Sequence, residues 1–129
     1  MLLNFQPRFV PFILDGSKTH TIRAERAIMP RVGETCHCYT GLRHKGAKLL
    51  GRWPCVRVEG IQIFQDGLRR RVFIDGNELS LDEKNSLAWR DGFRPEEGFS
   101  FAFAAMSLFW DARLPFDGHV IHWLPRRVP

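Results

Sequence analysis

The sequence predicts an α+β fold, a small β-barrel of about six short strands flanked by two or three helices. Three observations carry this expectation. Short β-branched or alternating runs bounded by turn residues fill the first half of the chain and return at its end. Helical spacing is confined to the later part, between about residues 81 and 110. The 129 residues are 44% apolar and 12% aromatic, enough for one hydrophobic core, and no repeat or low-complexity block divides them. A single domain over residues 1–124 is expected, followed by a short basic tail at 125–129.

The elements follow in order. Residues 2–9 alternate loosely and read as a first strand. Val10-Pro11 opens a short helix at 12–15, with Pro11 tolerated near the first helical position and Gly16 able to end it. Residues 18–23 leave that helix extended, because Thr19, Thr21 and Ile22 are β-branched. An irregular connection, 24–31, contains Pro30, and Val32-Gly33-Glu34 turns into a strand at 35–40. Residues 41–51 are basic and glycine-punctuated, an exposed loop. A strand at 56–64 carries Gly60 as a bulge marker, and Gln65-Asp66-Gly67 turns it into a partner strand at 71–74. Asp75-Gly76 is a further turn. A helix runs from Leu81 to about Arg90, followed by Asp91-Gly92-Phe93. Pro95-Glu96-Glu97 starts another helix, whose Phe99, Phe103, Phe109 and Trp110 read as core packing. Residues 118–123 form the closing strand.

Composition bounds the partners. Net charge is +5, with 15 arginines against 4 lysines. The planar guanidinium suits phosphate and base stacking, so the balance leans toward nucleic acid or a phosphorylated ligand, although arginine bias from a GC-rich genome gives the same composition. The apolar runs are too short for a membrane span, and residues 1–9 lack the pattern of a signal peptide. An odd count of three cysteines does not suit a disulfide framework, and a reducing cytoplasm is the expected home.

The densest chemistry lies in Gly16-Ser17-Lys18-Thr19-His20-Thr21-Ile22-Arg23. Lys18 and Thr21 form a workable pair: a partly desolvated lysine near other cations can act as a base toward a hydroxyl that is a poor nucleophile alone. On a flat strand, positions three apart face opposite ways, so the pair converges only if the chain bends after Gly16. Asp91 is either an ordinary helix-ending Asp-Gly turn, a carboxylate serving Lys18, or both. Arg23 suits a phosphate or an oxyanion, or a salt bridge to Glu25 or Glu34. His20 could contact a base or sit half-buried as a structural histidine. Tyr39, the only tyrosine, could stack on a base. Arg43, Lys45 and Lys48, with His44 and Arg52, form one basic run and Arg69, Arg70 and Arg71 another. Each could track phosphates or simply be a solvated face. Cys36, Cys38 and Cys55 do not form a zinc site, because Cys-x-Cys is tight for one tetrahedral ion and no second pair exists. Alternation puts Cys36 and Cys38 together as small core residues. His119 and His122 face opposite ways on a strand and make a poor metal pair, so no metal is expected.

The motif from Phe12 to Arg23 resembles the signature of the ASCH domain family, relatives of the PUA RNA-binding barrel. Val32-Gly33-Glu34, Asp91-Gly92-Phe93 and the terminal run Phe116-Asp117-Gly118-His119-Val120-Ile121-His122-Trp123 agree in order and spacing. The likeness covers nearly the whole chain and is similar to small stand-alone bacterial and phage members. It implies a PUA-like (ASCH) barrel with a cleft beside its first helix. Some stand-alone members are amidohydrolases that deacylate N4-acetylcytidine with a lysine and a threonine three residues apart and a later glutamate. The first two match Lys18 and Thr21, while the glutamate's place falls on Asp91, one methylene shorter. The resemblance thus implies a nucleoside amidohydrolase that needs no cofactor, with Lys18, Thr21 and Asp91 catalytic and Arg23, His20 and Tyr39 near the substrate. The alternative is a module for single-stranded RNA, with ribonuclease activity as in another member. A third reading is an interaction protein that keeps the barrel without its chemistry.

Overall fold

A computed structural model describes residues 1–125, so all but the first residue of the expected tail lies outside the described residues. The elements are β1 (Leu2–Phe5), α1 (Val10–Leu14), β2 (His20–Ala24), β3 (Thr35–Thr40), β4 (Lys48–Asp66), β5 (Arg69–Ile74), β6 (Asn77–Glu78), α2 (Leu81–Asp91), α3 (Ala102–Trp110) and β7 (Phe116–Trp123). The class is α+β, with one mixed sheet and three α-helices among the described residues. No helix among them is long and apolar enough to cross a membrane.

β4 is the backbone of the sheet. Its 19 residues pair with β3 through Pro54, then with β7 along one edge and β5 along the other. β1 joins β3 in parallel, β2 lies antiparallel to β7, and β6 extends β5. Among the described residues no backbone ladder connects β1 to β2, and the sheet stays open there. Two guanidinium groups span the gap instead: Arg23 Nη2 donates to Asn4 O at 2.6 Å and Arg26 Nη2 to Leu2 O at 3.3 Å.

Four expectations change. Residues 48–51 are not loop but the start of β4. Gly51 hides the alternation, yet it is needed there because an added Cβ would stand 2.3 Å from the Trp53 ring. The register shifts of β4 lie at Leu50, opposite Cys38 and Tyr39, and between Cys55 and Arg57, whereas Gly60 stays in register opposite His119 and donates its N–H to Asp75 Oδ1. The first strand ends at Phe5, because Pro7 starts a 3-10 turn for which it needs no N–H. The segment after Pro95 is not helical; Gly98 at φ 105° precedes another 3-10 turn, and α3 begins only at Ala102. Phe99 is consequently 43% exposed against Trp89, while Phe103 and Trp110 are buried.

α2 is the element whose ends matter most for the site. Ser80 and Glu83 form a reciprocal capping box, worth about 1 kcal/mol for such a cap. At the other end Phe93 N–H bonds Ala88 O and Gly92 N–H bonds Trp89 O, the paired bonds of a left-handed helix stop. Gly92 has φ 109°, and a Cβ there would lie 2.7 Å from Phe9. Asn85 Oδ1 accepts from Phe103 N–H, tying α2 to α3. Leu87, Ala88, Phe93, Met106 and Trp110 pack with Ile13 from α1 and with Ile61, Ile63, Val120 and Ile121 from the sheet in one core.

Candidate functional site

The open seam between β1 and β2 leads into a cavity of about 310 Å³. Asn4 and Phe5 line it from β1, Thr21 and Arg23 from β2, and Lys18 and Asp91 reach it from the α1–β2 connection and the end of α2. Phe9, Phe93, Phe109, Trp110 and Phe116 supply an aromatic wall, with Arg113 on the exposed side.

The bend on which the Lys18–Thr21 pairing depends is present. Asp15 N–H bonds Pro11 O, Gly16 takes φ 80°, Ser17 N–H bonds Asp15 Oδ1 at 2.8 Å, and Lys18 N–H returns to Phe12 O at 2.8 Å. β2 starts only at His20, so Lys18 is free of the strand's alternation and shares the cavity wall with Thr21. The left-handed stop after α2 delivers Asp91 to the same place, so the Asp-Gly turn and a carboxylate contact with Lys18 occur together.

Lys18 is 2% exposed, and its Nζ donates to Asp91 Oδ1 and to Asp91 O, each at 2.7 Å. That carbonyl belongs to the end of α2, where the helix leaves acceptors unpaired and its dipole favours a cation. The ammonium retains a third N–H, and the Phe9 and Phe5 rings lie 5.1 and 5.7 Å away. Burial pushes the Lys18 ammonium below its ordinary range, and Asp91 opposes that shift. Burial alone would raise Asp91, but Lys18 and then His20 hold its carboxyl well below the usual carboxylate range. The carboxylate therefore stays ionised while Lys18 holds its proton less firmly than a surface lysine.

Thr21 Oγ1 accepts from Arg23 Nε at 3.0 Å. Arg23 forms neither anticipated salt bridge: its other bond goes to Asn4 O, and Glu34 accepts from Arg31 N–H instead. The guanidinium lies 4.8 Å over the Phe5 ring. Burial lowers its pKa, and the nearby Arg26 adds to the effect.

His20 does not line the cavity. It is 1% exposed and stands behind Asp91, with Nε2 3.2 Å from Asp91 Oδ1 in a contact that is not aligned as a hydrogen bond. Burial pushes it below its ordinary value of 6.5, outweighing Asp91. Beyond it His122 lies at 5.5 Å ring to ring, with Nε2 2.6 Å from Glu59 Oε1. Tyr39 sits half-buried on β3 between Asn4 and Leu49, outside the cavity lining.

The basic runs divide. Arg43 and Lys45 are exposed in the connection before β4, and Lys48 is its exposed first residue. Arg69 is exposed, but Arg70 is committed to Asp111 Oδ1 at 2.9 Å and Ser107 O at 2.7 Å. Arg71 holds both Glu78 oxygens, at 2.7 and 2.9 Å, and Asp66 at 3.2 Å. These two fasten the hairpin to itself and to α3 rather than facing a phosphate chain. Cys36, Cys38 and Cys55 are free and buried, and burial pushes the Cys36 and Cys38 thiols up to about 12. No group of three or more His, Cys, Asp or Glu suited to a metal occurs among the described residues.

Sequence reasoning missed Arg113 and the cavity role of Phe109 and Trp110. The available signal was the four-residue spacing of Phe109 and Arg113 at the end of an apolar helix. The His122–Glu59 pair has no signal before the β4–β7 register is known. Comparison with protein-family models, with curated proteins and with solved structures finds no match to the chain.

Proposed function

We propose that the protein is an amidohydrolase that removes the acyl group from an N4-acylated cytosine nucleoside such as N4-acetylcytidine. On this reading the sheet is an ASCH-type, PUA-like barrel left open at its cleft. The observation that carries the reading is the meeting of Lys18, Asp91 and Thr21 in one aromatic-walled cavity, with Lys18 Nζ 2.7 Å from Asp91 Oδ1. A volume at the small end of ligand pockets, which run from about 300 to 1,000 Å³, suits a nucleoside. The flat walls suit a pyrimidine.

With Lys18 in its neutral amine form, which burial favours, two N–H groups stay on Asp91, and Thr21 Oγ attacks the acyl carbonyl as the Nζ lone pair takes the hydroxyl proton. Arg23 Nε, already donating to that oxygen, favours the charge developing on it. The third N–H that this transfer places on Lys18 meets the carbonyl oxygen as it becomes an oxyanion. When the C–N4 bond breaks, the proton returns from Lys18 to the exocyclic nitrogen and cytidine leaves. Water then attacks the threonyl ester, releasing the carboxylic acid and restoring Thr21. Asp91 holds Lys18 in place throughout and takes up the field of its charge.

Incubation with N4-acetylcytidine, followed by the ultraviolet change to cytidine, tests this. Thr21→Val keeps the shape and removes the hydroxyl, and a loss of roughly a hundredfold or more in kcat is expected. Far-ultraviolet circular dichroism confirms that the variant is folded. An inactive wild-type protein, or Thr21→Val turning over at the wild-type rate, overturns the proposal.

A second reading, a module for single-stranded RNA with or without ribonuclease activity, draws on a separate observation. Arg43, Lys45, Lys48 and Arg69 are exposed and make no ion pair among the described residues.

A further inference from the structure

We infer that the cavity takes a nucleotide rather than a bare nucleoside, with Arg23 and Arg113 forming a subsite for a phosphate carried by the cytosine ligand. The inference rests on the proposed reading for the base but not for the anion.

The charge of the cavity wall is unbalanced. Four ionised side chains line it: Lys18, Asp91, Arg23 and Arg113. Lys18 and Asp91 neutralise each other at 2.7 Å. Arg23 donates only to neutral acceptors, Thr21 Oγ1 and Asn4 O, and Arg113 Nη1 donates to Phe109 O at 2.8 Å. Among the described residues neither forms an ion pair with a carboxylate, and the Asp91 charge, which also favours that of Arg23, is already held by Lys18. Two positive charges thus border a partly enclosed space with an aromatic wall, Arg23 buried at its side and Arg113 at its exposed mouth.

Arg26 sharpens the imbalance. Its guanidinium is bonded to Leu2 O and lies close enough to Arg23 to disfavour the Arg23 charge. Crowding cations without an anion costs stability, and a bound anion relieves that cost. A neutral acylated cytidine leaves it in place. A phosphomonoester brings about −1.5 to −2 charges at neutral pH and oxygens that match a guanidinium fork.

Arg113 is held ready for such a role. Its guanidinium lies 4.7 Å over the Phe109 ring and 5.7 Å from that of Trp110, with one nitrogen fixed on Phe109 O. Stacking and that bond remove much of the freedom a surface arginine would lose on binding. The remaining N–H groups are left for a ligand. A pyrimidine against the aromatic wall would carry its phosphate toward this exposed side.

Calorimetric titration of the full chain with cytidine, cytidine 5′-monophosphate and inorganic phosphate, at low and high salt, provides the test. The monophosphate is expected to bind at least about tenfold more tightly than cytidine, as charge-assisted bonds allow. That advantage should shrink with salt and fall to within about threefold in Arg113→Gln, an exposed substitution. Equal binding of the two ligands, or an advantage undiminished in Arg113→Gln, overturns the inference, as does binding of none of the three. Arg113-dependent binding of the monophosphate and phosphate without cytidine binding supports the anion subsite and removes the cytosine reading instead. A 5′-phosphorylated cytidine dinucleotide separates the two sources of such a phosphate: binding tighter than the mononucleotide assigns the subsite to an RNA end, and weaker binding to a free nucleotide.

Discussion

Lys18 occupies a place where a lysine is expensive, and Asp91 is the reason it is tolerated. Taking both charges out of water costs several kcal/mol per ion, and removing one partner of such a pair typically costs about 3–5 kcal/mol, because the other is left buried alone. Lys18→Ala is therefore a poor probe of chemistry, whereas Thr21→Val is a clean one. His20 has its own signature. Unfolded, it takes up a proton below about 6.5, while the folded protein resists that proton, so the folded state binds fewer protons and loses stability as pH falls from 6.5. Asp91 adds a later loss: its folded pKa is depressed, so its contribution is full above the ordinary carboxylate range and disappears as pH falls below it. Urea midpoints measured between pH 4.5 and 7 should fall with acid in the wild type and fall less steeply in His20→Gln. Parallel profiles for the two proteins would show that His20 is not the group responsible.

At the scale of elements, α2 is positioned by its ends. Gly92→Ala must force φ 109° on an L residue and drive a methyl to 2.7 Å from Phe9, so a loss of at least about 1 kcal/mol is expected in thermal unfolding. An unchanged midpoint would mean that the stop can relax. The same element shows what the sequence could disclose. Ser80 to Glu83 and Asp91-Gly92 are local signals, readable because caps depend on neighbours within four residues. The strands read at 35–40, 71–74 and 118–123 were legible for a similar reason, since turns and alternation bound them, and the last two begin two residues earlier. The front half of β4 was not, because its glycine answers to the Trp53 ring that lies across it rather than to a turn. Lys18, Thr21 and Asp91 stood out as chemistry-bearing residues, but their convergence depended on a bend that only the bonds around Asp15 reveal. Arg69, Arg70 and Arg71 read alike as letters, and only the carboxylates brought by β6 and by the residues after α3 set the last two apart.

On the whole molecule, the charge left over after internal pairing decides between the two functional readings. Arg43, Lys45, Lys48 and Arg69 remain exposed outside the cavity lining. If the protein grips RNA along this surface, retention on single-stranded RNA should weaken steeply with salt and drop several-fold in an Arg43→Glu, Lys45→Glu variant, since each phosphate contact contributes to the salt slope. Retention insensitive to both would confine ligand recognition to the cavity. The cavity itself joins distant parts of the chain: Lys18 and Asp91 are 73 residues apart, and the lysine bonds both the carboxylate and the last-turn carbonyl of α2. One lysine therefore closes the helix and, on the proposed reading, furnishes the proton-carrying group. Fraying of the final turn of α2, of the kind amide exchange detects, would switch the site off in the same motion that loosened the fold. If the proposed activity is right, a working site requires a closed helix end, and the two are lost together.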